Sequence, residues 1–289
     1  MMKKRGVKKT MWMIVVILAV IVTGIVVFFK IPYSKTKTDF NQVVTEQISS
    51  SKALKDVFTL DDIKGLPYPV RQYFENSGYI GTPKMNYMKA AFNNVDFIMS
   101  PDKPALKIDY TQYNFVHEPI RLAYIDTAMY GVPFEGFDSY LDGDGSMKGV
   151  LAKVITLFNQ KGEEMNKACL VTFLSESLIM PNAALQHYIT WEEVDDTHAK
   201  ATISYNDISA SGIFTFSENG ELFSFTTEDR SVVSTDGTFQ QVTWSVLFKD
   251  YKTIDGIKQP GHLQVVWNYD HGDLIYFDSS SFKVEYDSQ

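Results

Sequence analysis

The sequence predicts an α+β protein, with an N-terminal transmembrane helix followed by a curved antiparallel β-sheet packed on one or two helices. Three observations predict it. An uncharged apolar run from Met11 to Phe29 follows a basic cluster. The C-terminal third alternates apolar and polar residues around dipeptide turns, which is the period of a half-buried strand. A single stretch, Glu163 to Leu178, instead repeats its apolar residues at helical spacing.

Nineteen residues in a helix reach roughly 28 Å, close to the thickness of a bilayer's hydrocarbon core. Lys3, Lys4, Arg5, Lys8 and Lys9 precede the run, and Lys30 closes it. Basic residues favour the cytoplasmic side, so the expected topology is a single-pass cell-membrane protein with a cytoplasmic N-terminus and an extracellular C-terminal domain. The competing reading is a cleavable signal peptide, which usually has a shorter apolar core and small residues before the cut. Ile25-Val26-Val27-Phe28-Phe29 offers no such site, so an uncleaved anchor is expected. The chain then divides into a tail (1–10), a transmembrane helix (11–29), a Ser/Thr/Lys/Gln-rich, partly helical spacer (30–53) and an extracytoplasmic domain (54–289), with order beginning near Leu54.

Beyond residue 10, 22 Lys and Arg stand against 35 Asp and Glu. That acidic surface repels nucleic acid and anionic headgroups, so no nucleic-acid partner is expected and membrane association is assigned to the helix alone. The single cysteine, Cys169, permits no internal disulfide. The exported part must stand on its core, for which about 260 residues suffice.

Within that domain, Thr59-Leu60-Asp61-Asp62 reads as a capped helix start, with a hydroxyl and an acid three residues later. A second short helix is expected from Pro69, with Val70, Tyr73 and Phe74 on one side and Gly78 as the stop. Ile120, Leu122, Tyr124 and Ala128 alternate as a strand, as do Ala199, Ala201, Ile203 and Tyr205. Between them, the Glu163–Leu178 helix carries Met165, Ala168, Cys169, Thr172, Phe173 and Glu176 on one stripe. Leu170, Val171 and Leu174 lie on other sides, so cover on more than one face is expected, and Pro181 is the expected stop.

Asn219-Gly220 is a strong two-residue hairpin signal. It pairs Phe216 with Phe223 and Phe214 with Phe225, placing four phenylalanines on one face. Asp255-Gly256 pairs Val246 with Val265, Trp244 with Trp267 and Val242 with Tyr269, with a bulge suggested by Pro260. A turn at His271-Gly272 adds Tyr276 beside Trp267 and Leu274 beside Tyr269, giving three strands that share one aromatic side.

Chemistry is harder to find. Asp138-Ser139-Tyr140-Leu141-Asp142-Gly143-Asp144-Gly145 invites a calcium loop, but neither register supplies the ligands of an EF-hand, and a glycine-rich reverse turn explains it better. The five histidines have no metal spacing, and no nucleophile elbow or P-loop is present. No metal or cofactor is expected. Cys169 reads as a small buried hydrophobe. Glu176 is more informative, because a carboxylate on an apolar stripe must find a partner, protonate or reach solvent. Arg230, at the end of the Phe223–Phe225 strand, is the candidate partner, and the alternative is a Glu176 that reaches solvent at the frayed helix end.

Leu66-Pro67 with Val70-Arg71-Gln72-Tyr73-Phe74, then Asp138-x-Tyr140 with Gly143-x-Gly145-x-Met147, then Glu176 with Pro181-x-Ala183-Ala184-Leu185, then Trp191 and Arg230, occur in an order that resembles a bacterial family. That family is catalogued as domain of unknown function 6544. The resemblance covers roughly residues 60 to 285 and implies no known activity. It directs attention to Asp138, Tyr140, Gly143, Gly145, Glu176, Pro181 and Arg230. The expectation that follows is a tethered extracytoplasmic binding module for an apolar or lipid-like ligand, with Glu176, Arg230, Trp244, Trp267, Asp138 and Tyr140 as candidate ligand-binding residues. Two alternatives stand beside it: a cell-surface enzyme using Asp138, Glu176 or Arg230, and a structural or regulatory ectodomain acting through protein contacts.

Overall fold

The computed structural model describes residues 2–51, 55–99, 104–233 and 239–287, so the expected start at Leu54 lies outside the described residues. The first helix, α1 (Met2–Lys30), is long and apolar enough to cross a membrane, by length and composition, as a span or a signal sequence would be. Most of the stretch read as spacer is a second helix, α2 (Lys35–Ser50). Ser34 caps it by accepting from the Lys37 amide at 3.0 Å. Phe40 and Val44 recur one turn apart and are buried, so this helix packs on the sheet.

Strands β1 (Tyr87–Phe97), β2 (Leu106–Phe115), β3 (Ile120–Met129), β4 (Val132–Leu141), β5 (Asp144–Leu151) and β6 (Ile155–Lys161) form an antiparallel meander. Helices α3 (Leu60–Ile63) and α4 (Tyr68–Asn76) precede it, and α5 (Glu163–Glu176) and α6 (Pro181–Ala184) follow it. A second run holds β7 (Ile189–Asp195), β8 (His198–Tyr205), β9 (Ile208–Phe216), β10 (Leu222–Thr227), β11 (Ser231–Val233), β12 (Phe239–Gln241) and β13 (Thr243–Lys249). The chain ends with β14 (Lys252–Ile254), β15 (Ile257–Gln259), β16 (His262–Tyr269), β17 (Gly272–Ser279) and β18 (Phe282–Tyr286). One sheet runs β6-β5-β4-β3-β2-β1-β17-β16-β13-β10-β9-β8-β7, with β18 also on β1, and the small pairs β11-β12 and β14-β15 stand apart. The sheet therefore has two limbs joined where β1 meets β17, and α5 packs between them on β5 and β9.

Alternation sorts the strands into two faces. On β3, Arg121, Ala123 and Ile125 face α5, whereas Ile120, Leu122 and Tyr124 face α2, so the apolar alternation at 120–124 belongs to the outer cluster. The main core lies on the inner face and joins Leu170, Phe173 and Leu174 of α5 to Phe214, Phe225 and Trp244 of the far limb. Helix α5 is thus covered on several sides, as its sequence requires. It ends at Ser177, before Pro181, which instead opens α6. The Thr59 capping box forms as read, and Gly78 leaves α4 at φ +80°.

The hairpin registers are largely those the turns dictate. Phe214 pairs with Phe225, but a bulge before Ser224 sets Phe216 opposite Leu222, and Phe223 turns outward at 53 % exposure. Three phenylalanines face inward, not four. Trp244–Trp267 and Val246–Val265 pair as expected, and the same register continues through Ile254–Ile257 past Pro260. The last turn is Asp270-His271, so Trp267 pairs with Leu274, not Tyr276, and Tyr269 pairs with Gly272. A second bulge at Tyr276 restores its place, with its ring stacked on Trp267 at 6.0 Å.

Candidate functional site

Two side-chain clusters flank α5. On the near limb, Arg121 of β3 is buried and gives Nη1 to Asp138 of β4 at 2.7 Å and Nε to Glu176 at 3.1 Å. Its Nη2 donates to the Tyr110 hydroxyl at 2.5 Å and to Gln112 Oε1 at 3.2 Å. Glu176 Oε2 also accepts from Gln112 Nε2 at 2.7 Å and Asn114 Nδ2 at 2.8 Å. Burial works against the Arg121 charge, but Glu176, Tyr110 and Asp138 outweigh it and hold its pKa well above the usual arginine value. Burial pushes the Tyr110 hydroxyl up, so it remains a neutral acceptor and donor within the cluster.

Local sequence explains how α5 comes so close to β4 and β5. The hairpin turns at Asp142-Gly143, both with positive φ, where the Gly143 φ is +87°. A Cβ at Gly145 would lie 2.6 Å from the Met165 carbonyl, so only glycine lets α5 approach. The Gly145 amide then donates to Asn166 Oδ1 at 2.7 Å. Cys169, one turn along, points its thiol at Asp138 Oδ1, 3.8 Å away, and burial pushes that thiol well above its ordinary pKa.

On the far limb, Arg230 does not reach Glu176. It donates to the Thr172 hydroxyl and, at 3.3 Å, to the Ala168 carbonyl, both on α5. Its guanidinium lies 4.5 Å over the Trp244 ring and 5.8 Å from that of Trp267. Trp244 is 1 % exposed and donates its indole N–H to the Tyr276 hydroxyl at 3.0 Å, while Trp267 and Tyr276 are only half-buried. Phe97 extends the row through a ring contact with Tyr276 at 6.2 Å. Beside Arg230, Asp229 binds Lys167 of α5 at 2.6 Å and the Ser211 amide of β9 at 2.8 Å.

The six sequence-predicted site residues therefore separate. Asp138 and Glu176 converge on Arg121, whereas Arg230, Trp244 and Trp267 form the second cluster. Tyr140 joins neither; its ring meets Tyr205 at 6.4 Å and its buried hydroxyl has no hydrogen-bond partner among the described residues. The expected Glu176–Arg230 pair is corrected to Glu176–Arg121, because one turn of helix puts Arg230 against Thr172 instead. Sequence reasoning missed Arg121, Gln112 and Asn114. The signal on β3 was a single arginine between apolar residues, on the face opposite Leu122 and Tyr124, and on β2 the pair Gln112 and Asn114 on the face of Ile108 and Tyr110. Among the described residues, no group of His, Cys, Asp and Glu could hold a metal ion, and the acidic 138–145 stretch is the reverse turn its glycines suggest.

Several solved structures are similar to the chain. A LolA superfamily protein from Nitrosomonas europaea is 12% identical with a TM-score of 0.39, over 74% of this chain and 92% of its own. A putative outer membrane lipoprotein-sorting protein domain from Vibrio parahaemolyticus is 8% identical with a TM-score of 0.37, over 70% and 84%. A DUF1329 family protein from Desulfovibrio piger is 13% identical with a TM-score of 0.33, over 76% and 93%. No curated protein matches the chain. The family model described as a family of unknown function, DUF6544, matches residues 56–279, and the chain belongs to that family.

Proposed function

We propose that this protein is a membrane-tethered extracytoplasmic binding module, anchored by α1 with the basic tail inside, that receives an apolar or lipid-like ligand at the Arg230 end of the inner sheet face. One observation carries the reading. The aromatic core does not end under cover at that place but continues from buried Trp244 to half-buried Trp267, Tyr276 and Phe97 around a cation. Large aromatic rings left part-exposed beside polar tips are the material of apolar binding sites. Arginine on the ring faces suits a ligand whose apolar body ends in a hydrogen-bond-accepting head. Phe214, Phe225 and most of the same face are filled by α5, so the ligand is seated at the rim and not along the whole sheet.

The test is photocrosslinking of the full chain in vesicles doped with a diazirine-bearing phospholipid. Adducts are expected on the peptides holding Trp267 and Tyr276, and Arg230→Ala should reduce them. Adducts confined to α1 would defeat the reading. Protease added to intact protoplasts tests the topology, since digestion of residues 31–289 is expected and protection of that domain would overturn it.

A further inference from the structure

We infer that the end of the sheet bearing the β3–β4 and β5–β6 turns is a docking surface for the bilayer that α1 enters. The inference rests on the proposed reading of α1 as a span and adds a second, peripheral contact to it. Large apolar side chains are exposed at this end: Tyr130 at 94 %, Val154 at 69 %, Ile155 at 53 % and Leu157 at 49 %. Tyr130 and Val154 lie in the two turns and Ile155 and Leu157 at the start of β6, and the Ala152 amide ties the β5–β6 turn to β4 by donating to the Pro133 carbonyl at 2.7 Å. The patch is continuous with the end of α1. Lys153, at the tip of the β5–β6 turn, donates Nζ to the Ile31 carbonyl, lies 3.5 Å from the Tyr33 carbonyl and sits 5.9 Å over the Phe28 ring.

Chain length fixes the occupant. Residues 31–34 alone separate α1 from α2, and Phe40 of α2 is buried on the sheet. Four residues reach at most about 14 Å, so the domain cannot stand clear of the surface from which α1 emerges. The side chains fit that surface. Exposed Tyr33 and Tyr130 are the residue type of the membrane–water interface, Lys30 and Lys153 can place their amines among headgroups, and the aliphatic residues match the acyl boundary. The turns also hold residues against their backbone preference, since Tyr130, Ala152 and Lys153 all have φ between +53° and +65° without being glycine.

Depth-dependent quenching tests the contact in the full chain, reconstituted into phosphatidylcholine–phosphatidylglycerol vesicles. Single cysteines at Tyr130→Cys, Ile155→Cys and, on the opposite edge strand, Val194→Cys carry an environment-sensitive nitrobenzoxadiazole label, with buried Cys169 left in place as the background. Labels at 130 and 155 should be quenched about twofold or more by lipids with a doxyl group high on the acyl chain, and the label at 194 should not. Equal quenching at all three positions, with the chain resisting alkaline carbonate extraction, overturns the docking surface and leaves the span intact. Release by carbonate overturns the span and the docking surface with it. Energy transfer between labelled copies, without lipid quenching, overturns the bilayer in favour of a second copy of the chain.

Discussion

Helix α5 is held from its two sides by different chemistry. The near limb grips it with a buried charge cluster, Arg121 between Asp138 and Glu176, in which the side-chain amide nitrogens of Gln112 and Asn114 donate to Glu176. The far limb packs Phe214, Phe225 and Trp244 against it and adds two polar ties at the rim, Arg230 to Thr172 and Asp229 to Lys167. Apolar packing is forgiving of small changes in shape, because dispersion and area burial are spread over many atoms. A buried ion cluster is not, because its attraction offsets a desolvation cost that remains when one partner is removed. The near limb therefore fixes where α5 sits, and the far limb supplies much of the burial that keeps it there.

The largest effect should come from breaking the near limb. Arg121→Met leaves Asp138 and Glu176 without their cation in a site where both are largely covered, and should cost about 3–5 kcal/mol in a denaturant or thermal melt. Replacing Arg121, Glu176 and Asp138 together by apolar residues should recover much of that loss, since no charge is then stranded. A triple variant as unstable as Arg121→Met would mean that the cluster contributes net stability and not chiefly placement.

Arg230→Ala sharpens the comparison from the other side. It removes the ring-face contacts with Trp244 and Trp267 and the bonds to Thr172 and Ala168. A loss of about 1–3 kcal/mol is expected, smaller than for Arg121 because Arg230 leaves no buried carboxylate behind. Phe225→Leu should cost less again, about 1.5 kcal/mol or less, because a neighbouring apolar group of similar size can repack. A loss for Phe225→Leu equal to that of Arg121→Met would erase the distinction between the limbs.

The two limbs also differ in how far they could be read before folding. The far limb was legible because its pairs are local: Asn219-Gly220 and Asp255-Gly256 set registers within hairpins, and Phe214–Phe225 and Trp244–Trp267 follow by counting. Of the misplacements there, Phe223 comes from a bulge, which inserts one residue without a sequence mark of its own, and the Trp267 partner from a turn that lies one residue earlier than His271-Gly272. The near-limb cluster was not legible, since Glu176 lies 55 residues from Arg121 and 64 from Gln112, and which limb α5 meets is decided by the whole sheet. The Glu176 stripe did single out a carboxylate that had to find a partner, protonate or reach solvent. The folded contacts show which face of the helix is turned to β3, through Glu176 and Arg121, and which to Arg230, through Thr172 and Ala168.

The smallest expected effect concerns pH and the rim of the far limb. Burial alone would raise the Asp229 carboxyl, but hydrogen bonds from Lys167 and the Ser211 amide outweigh it and hold it below the usual carboxylate range. A carboxylate depressed in the folded state stabilises the fold above its unfolded pKa, about 3.9, and that contribution fades as pH falls through the lower folded value. The pair is about one-third exposed, at 36% for Lys167 and 32% for Asp229, so solvent screening limits it to about 1 kcal/mol or less. Asp229→Asn should therefore be less stable than the native chain by a constant amount well above the unfolded carboxylate pKa, and the two stability curves should converge as pH falls through the lower folded value. Curves that stay parallel into acid would show that the tie between α5 and the aromatic limb is carried by packing and the neutral hydrogen bonds, with no part for the charge on Asp229.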